Sequence, residues 1–203
     1  MTGACERLPE PVLRSEVHLE GTTATQAWAA RLAGALRAGD VLILTGELGA
    51  GKTTFTQGLG AGLGVREGII SPTFVLSRIH PSVQGRGPDL VHVDAYRLGS
   101  AAELADLDLD ATVDRSVTVV EWGRGLAEPL AGWPDDPAAS WLDIELLRTT
   151  GSGEPGEDGP RADPEAGIII TDFSDDDGTG ADETRTVVVL GYGPRWEGAR
   201  LPG

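Results

Sequence analysis

Residues 46–53 read Gly-Glu-Leu-Gly-Ala-Gly-Lys-Thr, a glycine-rich run that ends in a lysine and a threonine. The run matches the pattern G-x-x-x-x-G-K-[ST] of phosphate-binding loops, and it lies between an apolar strand-like segment and a helix-like one. Backbone N–H groups of such a loop surround the phosphates of a nucleoside triphosphate such as ATP, and the glycines permit their close approach. Lys52 is expected to reach the outer phosphates and Thr53 to ligate Mg²⁺. The predicted nucleotide-binding segment comprises Leu48, Gly49, Ala50, Gly51, Lys52, Thr53 and Thr54.

The composition of the chain supports a special role for Lys52, because it is the only lysine beside fifteen arginines. A GC-rich genome explains an excess of arginine, but it does not explain the exception. A planar guanidinium cannot replace a compact ammonium between phosphates. Composition and motif therefore point to the same residue.

Two acidic residues, Asp94 and Glu121, follow apolar runs that are typical of buried strands. Magnesium in a P-loop protein usually needs an acidic side chain at the end of a neighbouring strand. One of the two acids is expected to hold the metal, directly or through water, and the other to orient the attacking water. The residues alone leave open which acid has which role.

Three further residues lie near these motifs, and two of them, Thr73 and Trp122, allow two interpretations each. Thr73, in a Ser-Pro-Thr turn, either senses the γ-phosphate or is an ordinary turn threonine. Trp122 either packs against the base or ribose, or belongs to the core or to a partner surface. A lone histidine is weak evidence for catalysis, so His92 is expected to pack within the sheet.

Hydrophobic periodicity predicts the elements that must position these residues. Strands are predicted at residues 14–20, 40–45, 75–79, 90–94, 117–121, 141–147 and 186–190. Helices are predicted at residues 24–36, 52–63 and 100–107, with a helical turn or two at 125–131. A capping box from Thr23 to Gln26 is expected to begin the first helix, and Gly64 to end the second. The alternation indicates an α/β fold of the P-loop NTPase type, with three layers and a mixed, mainly parallel central sheet.

The 203 residues suit one α/β domain, with a core at about 14–147 and a final strand at about 185–191. Residues 149–183 carry eleven carboxylates and one arginine, which predicts a flexible acidic insertion. Within it, three isoleucines at 168–170 are expected to be able to pair as an extra edge strand.

The charge and the cysteine count restrict the partners and the compartment of the chain. A net charge of −16 argues against direct, high-affinity contact with nucleic acid. The single cysteine, Cys5, allows no internal disulfide and fits a reducing cytoplasm. Because no apolar run has the length of a signal peptide or a membrane span, a cytoplasmic protein without a membrane partner is expected.

Five motifs together resemble the bacterial TsaE family, also called YjeE, the small ATPase of tRNA threonylcarbamoyladenosine (t6A) synthesis. They span about residues 14–147 and are Gly39-Asp40, the segment 46–55, Ser71-Pro72-Thr73-Phe74, His92-Val93-Asp94-Ala95-Tyr96-Arg97-Leu98 and Glu121-Trp122-Gly123. A generic kinase or GTPase would not be expected to carry both the Ser-Pro-Thr-Phe and the His-x-Asp-x-Tyr-Arg-Leu elements at these separations.

The resemblance implies a weak ATPase that uses ATP and Mg²⁺ and has Lys52 and Thr73 in its catalytic set. It implies that Thr53 and Glu121 bind Mg²⁺, that Asp94 is needed for hydrolysis, and that residues 71–74 form a nucleotide-sensing switch. The turn around Thr22, before the first helix, and Arg185, at the start of the last strand, are implied to contact the nucleotide. Partner proteins of the TsaB and TsaD type would transfer the carbamoyl group, so tRNA would be reached through them.

Two features depart from the family pattern. Arg124 follows Glu121-Trp122-Gly123 where many relatives have another acid, which changes the local charge. The stretch 149–183 is an addition that weakens the alignment of Arg185. Two other functions stay open, namely a P-loop kinase for a small molecule and a nucleotide-binding scaffold that does not hydrolyse. The kinase would need an arginine-bearing lid, and no arginine-rich segment is evident between residues 121 and 147.

Overall fold

A seven-stranded mixed sheet forms the centre of the protein in the computed structural model, which describes residues 8–85, 87–148 and 183–203. Its strands are β1 (Leu13–Glu20), β2 (Val41–Thr45), β3 (Ser77–His80), β4 (Asp89–Asp94), β5 (Ser116–Glu121), β6 (Trp141–Arg148) and β7 (Thr184–Tyr192). They lie in the order β1-β7-β6-β2-β5-β4-β3. The middle strands β6, β2, β5 and β4 are parallel, while β3, β7 and β1 pair antiparallel at the two margins. The α/β class and the mixed sheet are confirmed.

In the described residues, four α-helices cover the sheet, namely α1 (Gly21–Ala33), α2 (Lys52–Leu63), α3 (Ala101–Ala105) and α4 (Asp110–Val113). Because successive side chains of a strand point to opposite faces, β2 divides its residues between two cores. Leu42 and Leu44 pack with Trp28 of α1 and Phe55 of α2 on one face. Val41 and Ile43 belong to a second cluster on the other face, which includes residues of α3 and of the segment after β5. Helices therefore flank the sheet on both sides, as the sequence predicts.

Two glycines of α2 allow it to lie against α1 at close range. A Cβ at Gly58 would be 2.3 Å from the carbonyl oxygen of Gln26, and one at Gly62 would be 2.4 Å from that of Ala30. Both distances are far below contact, so any larger residue would push the helices apart. This packing fixes the position of α2, which begins where the glycine-rich loop ends.

The start of α1 differs from the sequence-based expectation. The helix begins at Gly21, and the residue before it makes no side-chain capping bond, so the predicted capping box is wrong. The amide of Gly21 instead donates to the carbonyl oxygen of Glu183 at 3.1 Å. Gln26, the expected capping partner, bonds Gln57 of α2 at 3.0 Å. Long-range contacts therefore replace the local cap.

Other boundaries move by a few residues. The strand predicted at 75–79 begins later, at Ser77, and is β3. The carbonyl oxygen of Pro72 accepts hydrogen bonds from the amides of Val75 and Leu76, which holds those two residues in a turn. The helix predicted at 100–107 is shorter, with Ser100 as its cap. The isoleucine strand at 168–170 and nearly all of the acidic stretch lie outside the described residues. Among the residues described, none of the helices is both long and apolar enough for a membrane span.

Candidate nucleotide-binding site

The glycine-rich loop connects β2 to α2 and contains three backbone positions that a side chain would strain. Gly46, Gly49 and Gly51 have φ values of +142°, +75° and +96°. A Cβ at Gly46 would lie 2.4 Å from the carbonyl oxygen of Leu146. Glycine adopts these conformations without strain, and α2 begins directly after Gly51. The predicted loop therefore stands at the amino end of a helix, where backbone N–H groups favour an anion.

Lys52 is buried in this loop, with only 5% of its surface exposed. Its Nζ donates to the carbonyl oxygens of Gly46 and Glu47 at 3.0 and 2.9 Å. The same atom lies 3.8 Å from the centre of the Trp122 ring, which places the ammonium over an aromatic face. The contacts hold the only lysine of the chain inside the loop.

Thr53, the next residue of α2, contacts the buried acid at the end of β5. Its Oγ1 donates to Oε1 of Glu121 at 3.2 Å, and both side chains are less than 10% exposed. Because β2 and β5 are neighbouring parallel strands, their carboxyl ends meet at one edge of the sheet. A hydroxyl and a carboxylate oxygen are hard donors that suit Mg²⁺, which usually takes few protein ligands and keeps several waters. The donor set fits a magnesium ion, although no described group of three or more His, Cys, Asp or Glu side chains forms a metal cluster.

Asp94 ends the next parallel strand, in register with Glu121. Its Oδ2 accepts hydrogen bonds from Ser71 Oγ at 3.1 Å and from Thr73 Oγ1 at 2.5 Å. Its Oδ1 accepts from the amide of Tyr96 at 3.0 Å. The structure thus brings the predicted Ser-Pro-Thr turn onto one of the two predicted acids and leaves the other acid beside Thr53. The two carboxylates have different partners although they are neighbours in the sheet.

Trp122 directly follows β5 and has an unusual backbone conformation. Its φ is +61°, a left-handed conformation that is strained for a bulky residue, and its amide donates to the carbonyl oxygen of Leu44 at 2.8 Å. The ring covers Lys52 and lies 5.2 Å from the ring of Tyr96. Tyr96 itself is 63% exposed. Trp122 is therefore part of the wall of the loop rather than of the core.

Arg185 of β7 reaches the loop from the other side. Only 5% of its surface is exposed, and its Nε donates to the carbonyl oxygen of Ala50 at 3.3 Å. Thr22 lies in the first turn of α1 rather than in a turn before the helix, so that part of the expectation is corrected. Its neighbour Gly21 bonds Glu183, the residue two before Arg185. Thr54, in the first turn of α2, is partly exposed beside Thr53.

Comparisons with known proteins identify the family of the chain. A family model described as threonylcarbamoyl adenosine biosynthesis protein TsaE matches residues 19–152. The chain belongs to the TsaE family. A tRNA threonylcarbamoyladenosine biosynthesis protein TsaE from Streptomyces coelicolor is 47% identical over 167 residues, covering 82% of this chain and 89% of that protein. The protein of the same name from Mycobacterium tuberculosis is 48% identical over 128 residues, covering 60% and 72%. The crystal structure of Bacillus subtilis YdiB aligns with a TM-score of 0.58 at 26% identity, covering 91% of this chain and 90% of that one.

Arg124, which follows the Glu121-Trp122-Gly123 motif, is held by β6. Its Nε and Nη2 donate to the two carboxylate oxygens of Asp143 at 2.8 Å each, and Nη2 lies 3.5 Å from Glu145. The hydrogen bond to Asp143 raises the pKa of the guanidinium, with smaller contributions from the charges of both acids. The extra positive charge near Glu121 in sequence is thus paired with acids of another strand.

Sequence reasoning missed two contacts around the candidate site. His92 is fully buried as expected, but its Nε2 lies 2.7 Å from Oε1 of Glu121. Arg148 forms two hydrogen bonds with the carboxylate of Glu183, at 2.6 and 3.1 Å, next to the loop. These bonds lower the pKa of Glu183. The position of His92, two residues before Asp94, was a sequence signal that could have indicated its contact with Glu121. No sequence signal indicated the contact of Arg148 with Glu183.

Proposed function

We propose that this protein binds and hydrolyses ATP with Mg²⁺ and acts in t6A synthesis on tRNA with partners of the TsaB and TsaD type. One observation carries the proposal: the contact of Thr53 with Glu121 beside the buried ammonium of Lys52. The names of the relatives from Streptomyces coelicolor and Mycobacterium tuberculosis support the pathway. We propose that the protein acts in the cytoplasm, because its single cysteine fits a reducing compartment.

Nucleotide binding is assigned to the loop and to the groups that surround it. The N–H groups of residues 48–54 and the helix end attract phosphate oxygens, and Lys52 supplies a compact positive charge. Arg185 is assigned to the same ligand because its guanidinium already lies against the carbonyl oxygen of Ala50. We assign Thr22 and Trp122 to the rim of the nucleotide site, where Trp122 also covers the ammonium.

Thr53 and Glu121 would hold the metal through their side-chain oxygens. Magnesium, when bound, neutralises charge on the phosphate oxygens and so favours attack at phosphorus. Glu121 is 3% exposed, and a buried carboxylate of this kind needs compensation by hydrogen bonds or a cation. This assignment leaves Asp94 for a different task.

We assign Asp94 to hydrolysis, in which it orients the attacking water. Its carboxylate accepts from Ser71 and Thr73, so movement of that turn changes the position of the carboxylate directly. A turn that responds to the γ-phosphate would thereby connect recognition of the triphosphate with its cleavage to ADP and phosphate. Thr73 is the hydroxyl through which this connection would pass.

Dependence on partner proteins is supported by the surface next to this turn. Five apolar side chains of one segment are more than half exposed, namely Ile70, Phe74, Val75, Ile79 and Val83. Exposed apolar side chains grouped in one segment are typical of protein-binding surfaces. Because Phe74 directly follows Thr73, a partner on this surface would contact the turn that bonds Asp94. We therefore expect slow turnover alone and faster turnover with partners.

The test is complementation in the native organism after depletion of the chromosomal gene. The amount of t6A in hydrolysed tRNA is expected to fall on depletion, to recover with the wild-type gene, and to stay low with Lys52→Ala. Arg66→Ala is the matched control, since Arg66 is an exposed cation outside the loop and should support full recovery. Calorimetry of purified protein should show binding of ATP with Mg²⁺ by the wild type and the control only.

Complementation decides the proposal, and assays of phosphate release and of label transfer from ATP separate the competing functions. Normal t6A after depletion, or full recovery with Lys52→Ala, would refute the proposal. A kinase would instead give ATP-dependent labelling of an added metabolite without release of free phosphate. A scaffold that does not hydrolyse would bind ATP but release no phosphate even with partners present.

A further inference from the structure

His92 lies on β4, two residues before Asp94, with none of its surface exposed. Its Nε2 is 2.7 Å from Oε1 of Glu121 on the neighbouring strand. A carboxylate oxygen accepts hydrogen bonds, so Nε2 carries the hydrogen and donates it. The two side chains therefore form a short, fully buried hydrogen bond beside the proposed magnesium site.

Oε1 of Glu121 accepts from two donors, His92 Nε2 and Thr53 Oγ1. In the part of the chain that the structure describes, no hydrogen bond joins the other oxygen, Oε2, to a protein group. A carboxylate bonded through one donor can turn about its last torsion, whereas two donors on different elements fix its plane. His92 and Thr53 together therefore hold one oxygen and turn the other away from both donors.

The sheet itself gives no reason for an imidazole at this position. The second ring nitrogen of His92, Nδ1, is buried without a hydrogen-bond partner among the described residues. An unsatisfied buried nitrogen is unfavourable, and an apolar side chain of similar size would pack there without it. The bond to Glu121 is the feature that an apolar residue could not supply.

We infer that His92 is a positioning residue that holds the carboxylate of Glu121 in the orientation required for Mg²⁺ bound with ATP. The inference rests on the proposed function, because it assigns a supporting residue to the same metal site. Removal of a group that hydrogen-bonds to a metal ligand and orients it typically lowers metal affinity by about 10–100-fold. His92 is expected to act through Glu121, without contact with the nucleotide.

The test compares His92→Leu, which removes the donor, with His92→Gln, whose Nε2 can replace the lost N–H. His80→Leu is the control, since His80 is also buried and its ring lies 6.3 Å from that of His92. Affinity for ATP is measured by calorimetry in EDTA and in a series of Mg²⁺ concentrations. His92→Leu should keep the wild-type affinity in EDTA and need about 10–100-fold more Mg²⁺, while His92→Gln restores most of the loss. His80→Leu should resemble the wild type.

Equal losses in the Leu and Gln variants, or an unchanged requirement for Mg²⁺ in a folded His92→Leu protein, would overturn the inference and leave the proposed function intact. A wild type that binds ATP equally with and without Mg²⁺ would overturn both. A second measurement needs no variant and uses nitrogen NMR of the wild-type protein labelled in histidine. It should show His92 with hydrogen on Nε2, and hydrogen on Nδ1 alone would contradict the inference.

Discussion

Replacement of Asp94 by alanine should abolish most ATP hydrolysis while leaving ATP binding nearly unchanged. The change removes the acceptor for the hydroxyls of Ser71 and Thr73 and for the amide of Tyr96. A hydrogen bond to a charged group contributes about 1.5–3 kcal/mol, so the two hydroxyl bonds together contribute about 3–6 kcal/mol at most. These bonds are already formed in the structure, so their loss should also lower stability. Loss of the carboxylate that orients the attacking water should lower the rate by about 10²–10⁴, the usual contribution of a positioned acid or base. Affinity should persist because the side-chain hydrogen bonds of Asp94 in the described structure go to Ser71, Thr73 and Tyr96, outside the loop.

The assay is release of phosphate under saturating ATP with partner proteins, alongside calorimetry of ATP binding. Asp89→Ala is the matched control, since Asp89 stands at the opposite end of β4 and accepts from the amide of Ser82. Asp94→Asn keeps the size and one acceptor oxygen, so its rate should be intermediate. Hydrolysis by Asp94→Ala at the wild-type rate would refute the reasoning. An equal fall in affinity and rate would make Asp94 a binding residue instead.

Three other predictions follow from the packing. Gly46→Ala should abolish ATP binding and lower the melting temperature, because its Cβ would lie 2.4 Å from a backbone oxygen of β6. Gly68→Ala is the control, because Gly68 also has a positive φ but open space around it, so the change should cost only about 1–2 kcal/mol of backbone strain. Equal melting temperatures of the Gly46→Ala and Gly68→Ala variants would contradict this prediction. Arg124→Ala should lower the free energy of unfolding in urea by about 1–3 kcal/mol, since Asp143 is buried, and unchanged stability would be evidence against the pairing. Replacement of residues 149–182 by Asn-Gly leaves a four-residue connection, completed by Glu183 and Thr184, between the paired Arg148 and Arg185. ATP affinity in calorimetry should be preserved, and lost binding would contradict this.

Local signals in the sequence predicted the loop and its helix to the residue. The segment 46–53 and the start of α2 at Lys52 follow from neighbouring residues alone, because glycines and the helix end are specified within one turn of chain. Gly64 ends α2 in a left-handed conformation, as predicted. Short apolar runs likewise identified the central strands, since a strand covered on both faces must be apolar throughout.

Contacts between distant segments were the part that the sequence could not provide. The bond of His92 to Glu121 depends on the register of two parallel strands, which local pattern does not specify. The start of α1 depends on Glu183, at the far side of the acidic stretch. Arg124 could be assigned to Asp143 only after β6 was placed in the sheet. In each case the deciding partner comes from another strand, and strand order is a property of the whole fold.

The arrangement of the strands explains why so few residues are needed for the proposed activity. β2, β5 and β4 are consecutive parallel strands, so the loop, Glu121 and Asp94 leave the same edge of the sheet in that order. Two residues at this edge have a positive φ, Trp122 directly after β5 and Leu76 directly before β3. Backbone strain of this kind persists only where surrounding contacts impose it. Leu76 accepts from the amide of Asp94, so the strained turn and the proposed catalytic acid are directly bonded. On the proposed function, a partner that contacts the exposed side chains from Ile70 to Val83 would act on Asp94 through this turn, without having to reach the loop.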